Sequence, residues 1–181
     1  LIMEIKQLQQ QIHQQNVDAG WWDSYRSDAA LINLMHSEIS EALEGLRKGL
    51  MDNHLPQYEM ALVELADCVI RCLDWLGYKK LSSAEYKFDG IELHRLCELP
   101  EVEMDIQEAL ATIHAKLSAA YSRKEERAYF ICMAMRLCLL TIEQFYPNYS
   151  PEVIVLEKLE YNKNRADHKR ENRAKAHGKQ F

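Results

Sequence analysis

Two pairs of carboxylates, Glu38-x-x-Glu41 and Glu64-x-x-Asp67, stand in segments of helical periodicity. Residues three apart share one face of a helix, so each pair presents two acids side by side. That face is otherwise apolar. Leu34, Met35, Ile39, Ala42 and Leu46 flank the first pair, and Leu62, Leu65, Ala66, Val69 and Ile70 flank the second. Carboxylates beside a core-facing stripe are costly unless compensated, and neither segment offers four basic partners. A divalent cation would compensate them, and ligands made of oxygen alone suit a hard ion such as Mg²⁺, with Mn²⁺ as a substitute. Three or four carboxylates around such an ion leave positions for water and phosphate oxygens. The ion can polarise a phosphoryl group and acidify a bound water, and a neighbouring carboxylate can take the proton. The chemistry this allows is hydrolysis of a phosphoanhydride.

A single E-x-x-E is common on helical surfaces; two acidic pairs in adjacent helices joined by a short loop are more specific. The connection from Glu41 to Glu64 allows an antiparallel hairpin in which the pairs face each other. Glu44 extends the first row by one more step, either as an outer ligand or as an exposed acid. Asp67 and Arg71 are spaced i,i+4, so a salt bridge within the helix competes for that acid. Asp74 continues the row and is expected to face solvent. A di-iron carboxylate bundle would need Glu-x-x-His motifs. Neither Glu38 nor Glu64 starts one, and His36 lies on a different face from Glu38.

The elements that must position these acids are helices. The chain has 181 residues with only six glycines and four prolines, 48% hydrophobic and 28% charged, as expected of one soluble domain with a sizeable core over residues 1–181. Periodicity and punctuation predict a helix from Glu4 to Asn16 and a bend at Gly20-Trp21-Trp22. They predict a second helix capped by Ser27 or Asp28 and ending near Gly49, and a third with Pro56 in its first turn, ending near Gly77. A turn is expected at Asp89-Gly90. Further helices are expected from Glu101 to Tyr121, from Lys124 to Phe145, and from Pro151 into the tail. No alternation of the strand type is convincing, so the fold class is all-α, an antiparallel helical bundle. Ile39-Ser-Glu41-Ala-Leu43-Glu-Gly-Leu46 also resembles Ile106-Gln-Glu108-Ala-Leu110-Ala-Thr-Ile113, which would make the bundle a duplicated helix pair. That register places Glu38 on Asp105, while Glu64 and Asp67 find no acidic counterpart.

Five cysteines, Cys68, Cys72, Cys97, Cys132 and Cys138, read as reduced thiols serving as small apolar residues in a reducing cytoplasm. The apolar run from Tyr129 to Phe145 is interrupted by Arg136 and Glu143, so it reads as a buried helix and not a membrane span. The net charge is −6, yet residues 156–181 hold eight Lys/Arg against four Asp/Glu. Such a tail either grips phosphates over an acid-held metal or is a solvated helix end. Its mixed charge and few aromatics make a nucleic-acid footprint unconvincing.

The run Leu34-Met-His-Ser-Glu38-Ile-Ser-Glu41-Ala-Leu-Glu-Gly-Leu-Arg47-Lys48-Gly49 resembles the first metal-binding helix of the MazG-like nucleotide pyrophosphohydrolases. Glu64-Leu-Ala-Asp67-Cys-Val-Ile-Arg71-Cys-Leu-Asp74 resembles the second. Lys158-Leu-Glu-Tyr161-Asn162-Lys-Asn-Arg165-Ala-Asp-His168-Lys169 resembles the Lys…Asn-x-x-Arg segment that follows. The resemblance implies the all-α NTP pyrophosphatase fold, shared with dimeric dUTPases and phosphoribosyl-ATP pyrophosphohydrolases. It implies Mg²⁺-dependent cleavage of a (deoxy)nucleoside triphosphate to monophosphate and pyrophosphate, as in nucleotide-pool house-cleaning, and a homodimer. By that similarity Glu38, Glu41, Glu64 and Asp67 hold the metal, and Glu38 or Glu41 is the catalytic acid that activates water. Lys158, Asn162 and Arg165 contact phosphate or sugar, with Lys169 and Arg173 as further contacts. About eighty residues separate the two matching regions, and a fused helix pair in that insertion would replace a subunit contact. A dUTPase or phosphoribosyl-ATP relative, and a non-catalytic helical module with vestigial acids, are the competing readings. Trp21 and Trp22 either stack on the nucleobase or pin the loop before the metal helix. His13 and Asn16 are candidates for the same pocket, whereas Tyr161 reads as a packing residue.

Overall fold

A computed structural model describes residues 5–81, 104–175 and 178–179 of the chain. The fold is all-α. In chain order the helices are α1 (Ile5–Asp18), α2 (Asp28–Lys48), α3 (Met60–Tyr78), α4 (Ile106–Ser122), α5 (Arg127–Phe145), α6 (Pro151–Asn164) and the short α7 (Arg170–Arg173). Single 3₁₀ turns at Lys124–Glu126 and Ala166–His168 precede α5 and α7. Among the described residues the only β contact is an isolated bridge between Met51 and Glu59. The expected turn at Asp89-Gly90, Cys97 and the expected helix starts at Glu4 and Glu101 lie outside the described residues.

Local chemistry sets the ends of α2. Ser27, extended at φ −69° and ψ 152°, accepts a hydrogen bond from the Ala30 N–H through its hydroxyl. Asp28 in the first turn and Arg47 and Lys48 in the last complement the helix dipole. Gly49 closes the helix in the left-handed region at φ +61°, where a side chain would be strained. The antiparallel course of α2 and α3 follows from their contacts: Gly45 lies beside Met60 and Ala61, Glu38 meets Arg71, and Asp28 accepts from the Trp75 indole at 2.9 Å. A Cβ on Gly45 would stand 2.9 Å from the Met60 Cβ and 3.0 Å from the Ala61 backbone nitrogen. Gly45→Ala is therefore expected to destabilise the protein by about 1–3 kcal/mol despite the gain in helix propensity, because a backbone must yield. Thermal melting checks this. An unchanged or higher melting temperature would show that the helices separate freely.

α3 is the central element. Fourteen of its nineteen residues are buried, and it packs against α1, α2, α5 and α6. A helix surrounded on all sides is apolar on all sides, which explains its continuous hydrophobic sequence and gives its few acids their unusual setting. α4 and α5 form a second antiparallel hairpin, with α4 on α2 and α5 on α3. One hydrophobic cluster runs through α1 to α6. Residues 124–145 are long and apolar enough to cross a membrane, but in this fold Phe130, Ile131, Met135, Leu139 and Ile142 are core residues. Cys68, Cys72, Cys132 and Cys138 are free and buried, and burial pushes the Cys132 thiol up to about 12. They fill core space.

Several boundaries differ from the sequence reading for local reasons. Pro56 does not open α3. The loop instead turns on Asp52, whose carboxylate accepts from the His54 and Leu55 N–H groups at 2.9 and 2.7 Å, and α3 begins at Met60. The last helix starts at Pro151 and runs into the tail as expected, but only to Asn164, because Arg165 is extended at φ −66° and ψ 129° and ends it. Asp105 and Glu108, the proposed counterparts of Glu38 and Glu41, form a capping box at the start of α4. The second hairpin spends those acids on helix initiation, whereas Glu38 and Glu41 lie well inside α2.

Candidate metal centre and its cavity

Glu38 and Glu41 come from α2 and Glu64 from α3. One carboxylate oxygen of each lies within 4.8 Å of the others. Glu38 and Glu64 are buried and Glu41 is exposed, so the cluster opens on one side. Burial, followed by Asp67 and Glu38, pushes the Glu64 carboxyl up to about 9. Burial pushes Glu38 up to about 7, with Asp67 and Glu41 adding to the effect and Arg71 opposing it. Carboxylates crowded in this way carry a proton unless a cation replaces it. The donor set is all oxygen, from three side chains on two rigid helices, and it fits a hard divalent ion.

Asp67 does not join that triangle. Its Oδ2 meets the Lys158 ammonium at 3.1 Å and its Oδ1 accepts from the Asn162 amide at 3.1 Å, both from α6. The competing salt bridge between Asp67 and Arg71 within α3 does not form, and the Arg71 Nε donates to Glu38 across the hairpin instead. The reason is geometric: Glu38 is more deeply buried and has the greater need of a countercharge. Lys158 is only 1% exposed. Burial works against its charge, but Asp67, Glu64 and Asp52 outweigh it and hold the ammonium above its ordinary value. Lys158 and Asn162, named from the resemblance as phosphate or sugar contacts, both bond Asp67 here, and Lys158 is not in the cavity wall, while Glu44 is an exposed partner of Lys48 at 2.5 Å.

A cavity of about 270 Å³ runs from these acids along α2 and α3. Glu38, Glu41, Asp67, Arg71, Asn162 and Arg165 line one part of it. The tail closes over it: Arg165 donates to Asp167 from Nε and Nη2 at 3.0 and 2.8 Å, and Lys179, also in the cavity wall, reaches the same carboxylate at 3.0 Å. These bonds, that from Arg165 foremost, hold Asp167 far below the usual carboxylate range. Burial and the two cations push His168 down to about 4, so it is neutral at pH 7. Lys169 is exposed and lines a neighbouring hollow with Asn162 and Lys163, away from the acids.

The far end of the cavity is aromatic and cationic. Trp21 is 8% exposed; the Arg173 guanidinium lies 3.6 Å from its ring centre and the His168 ring meets its edge. Trp22 stacks on Tyr78 at 4.1 Å and donates its indole N–H to Asp74 at 3.1 Å. Both rings are engaged in packing, which favours the loop-pinning reading over base stacking. Asp74, expected at the surface, is 6% exposed and also bonded to His13 at 2.8 Å. Burial is possible because α1 folds over the end of α3. Asn16 lines the cavity, as does Gln15, whereas His13 serves Asp74 behind the wall. Tyr161 stacks on His54 and packs as expected.

Sequence reasoning missed Arg26. It is 8% exposed, and its guanidinium carbon lies 5.6 Å from the Trp21 ring centre and 5.1 Å from that of Trp22. The signal was present: an arginine four residues after a tryptophan pair and directly before the Ser27 cap has aromatic faces within reach. Comparison with protein-family models, with curated proteins and with solved structures gives no match.

Proposed function

We propose that this protein is a divalent-metal-dependent nucleoside triphosphate pyrophosphohydrolase, cleaving a (deoxy)nucleoside triphosphate to the monophosphate and pyrophosphate. The observation that carries the reading is the convergence of Glu64 with Glu38 and Glu41, the latter two in the wall of a cavity that also bears Arg71, Asn162 and Arg165. Glu38, Glu41 and Glu64 would hold the ion, with Asp67 beside them, and Mg²⁺ or Mn²⁺ there would supply Lewis acidity toward phosphate oxygens and an acidified water. The protein's own groups do the rest. Arg71 and Lys158 keep Glu38 and Asp67 in fixed orientations. Arg165 and Lys179 can exchange Asp167 for phosphate oxygens, a charge-assisted contact of the same kind. Glu41 is the most exposed acid of the cluster and is placed to take a proton from water. The α4–α5 hairpin covers the α2–α3 pair from within the same chain. A homodimer through another face and a cytoplasmic setting with a nucleotide-pool role complete the proposal.

The test is pyrophosphate release from a panel of NTPs and dNTPs with Mg²⁺, wild type beside Glu41→Gln. Wild type is expected to turn over part of the panel, and Glu41→Gln to lose about 10²–10³-fold, the scale on which loss of a group that acts in the transition state is felt. Absence of turnover by wild type on every nucleotide would make the acids structural and overturn the reading.

A further inference from the structure

Arg26 presents an unsolved electrostatic problem. Its guanidinium lies near two indole rings, its Nε is fully enclosed with no hydrogen-bond partner, and burial lowers the guanidinium to about 10, still charged at neutral pH. Asp74 is near enough to favour the charge, but no hydrogen bond joins the two. A buried guanidinium with unused donors is expensive unless a ligand satisfies it. Arg26 and Asp74 both line the cavity, together with the apolar Leu31, Leu34 and Ile70. Asp74 uses Oδ1 for both His13 and Trp22, which leaves Oδ2 for a ligand.

The position of this chamber narrows the ligand. Asp74 lies seven residues beyond Asp67 on α3, about 10 Å along the helix axis, roughly the separation between a base edge and its distal phosphates. A second phosphate at Arg26 would face the Asp74 carboxylate, and the apolar wall suits a flat ring. The required ligand accepts hydrogen bonds on one edge and donates them on another. Guanine does so with two groups on each side: O6 and N7 match a guanidinium fork, and N1–H and the 2-amino group match a carboxylate. Adenine offers a donor where Arg26 needs an acceptor, and pyrimidines offer fewer matched groups.

We propose that the Arg26–Asp74 chamber is a base-recognition site selective for 6-oxopurines, with Arg26 donating to O6 and N7 and the free Oδ2 of Asp74 accepting from both N1–H and the 2-amino group. The assignment rests on the pyrophosphohydrolase reading for its purpose, but its chemistry can be read without turnover. Full-length protein in EDTA is titrated with dGMP, dIMP, dAMP, dUMP and dCMP by calorimetry. dGMP is expected to bind at least ~10-fold more tightly than dAMP, the scale of one well-made bidentate contact, with dIMP between them because it lacks the 2-amino group. Arg26→Lys should bring dGMP and dIMP down to the level of dAMP. Asp74→Asn should erase the difference between dGMP and dIMP while leaving both ahead of dAMP. Circular dichroism melting confirms that each variant is folded, and if either is not, the wild-type order decides alone. Tighter binding of dAMP, dUMP or dCMP than of dGMP, equal binding of all five, or no binding overturns the proposal. Pyrophosphate release without guanine preference refutes the chamber and leaves the proposed activity. Guanine-selective binding without pyrophosphate release refutes the activity and leaves the chamber.

Discussion

On the proposed function, Glu64→Gln is expected to reduce pyrophosphate release by about 10³-fold, as removal of a carboxylate from the proposed metal site should, and at the same time to raise the melting temperature of the metal-free protein at pH 8. Both effects come from one property. The Glu64 carboxyl is raised to about 9 from an ordinary 4.5, by burial first and by Asp67 and Glu38 next. A folded-state value above the unfolded one stabilises fully below the unfolded value, and that stability is lost as pH rises through the folded value. Wild type without metal should therefore melt at progressively lower temperature between pH 5 and pH 9. The fall should be roughly 5–10 °C, taking a few kcal/mol for the coupled Glu38–Glu64 pair and about 2–4 °C per kcal/mol for a chain of this size. An amide at position 64 carries no such charge, so the slope should flatten. Saturating Mg²⁺ should flatten it too, because the ion takes the place of the proton. Calorimetric scans with EDTA and with Mg²⁺ across that range decide the matter. A wild-type melting temperature that stays level or climbs with pH in EDTA would contradict the electrostatic account of the cluster.

Lys158→Met should act in the opposite direction on stability. The ammonium is the nearest countercharge to Asp67 and is almost fully enclosed. Removing one partner of a buried pair leaves an uncompensated charge and costs about 3–5 kcal/mol, equivalent here to a melting temperature lower by ~10 °C or more. Activity should fall at least ~100-fold, since Asp67 loses the bond that orients it. Mg²⁺ should rescue this variant more than it stabilises wild type, because the ion restores positive charge beside Asp67. The double variant Lys158→Met/Asp67→Asn should recover much of the lost stability, as a mutant cycle on a directly coupled pair requires. Additive losses in the double variant would show that Lys158 acts through packing alone.

What the sequence could show was local. The Ser27 cap, the Gly49 stop and the three-residue spacing of the acids are properties of single helices, and they placed Glu38, Glu41 and Glu64 correctly on facing sides of a hairpin. What it could not show was the choice of partner. Arg71 has an acid one turn away in Asp67 but turns to Glu38, because the deeper charge on the neighbouring helix needs it more. Asp67 is then free for Lys158 and Asn162, which arrive from α6. Asp74 looks like the solvent end of an acidic row until α1 and the Trp22 loop cover it. In each case the decisive contact lies far along the chain, where periodicity carries no information. Pro56 failed for another reason: the Asp52 turn competes with helix initiation and wins.

The bond from Asn162 to Asp67 spans 95 positions of sequence. As the polypeptide is synthesised, the acids of α2 and α3 emerge long before the lysine and amide that hold Asp67. A nascent chain that has reached only α3 or α5 exposes carboxylates without their α6 partners, and the cavity beside them has no tail to close it. On the proposed reading the centre is therefore complete only once α6 docks, and a truncation upstream of Lys158 would leave Asp67 without its two α6 partners.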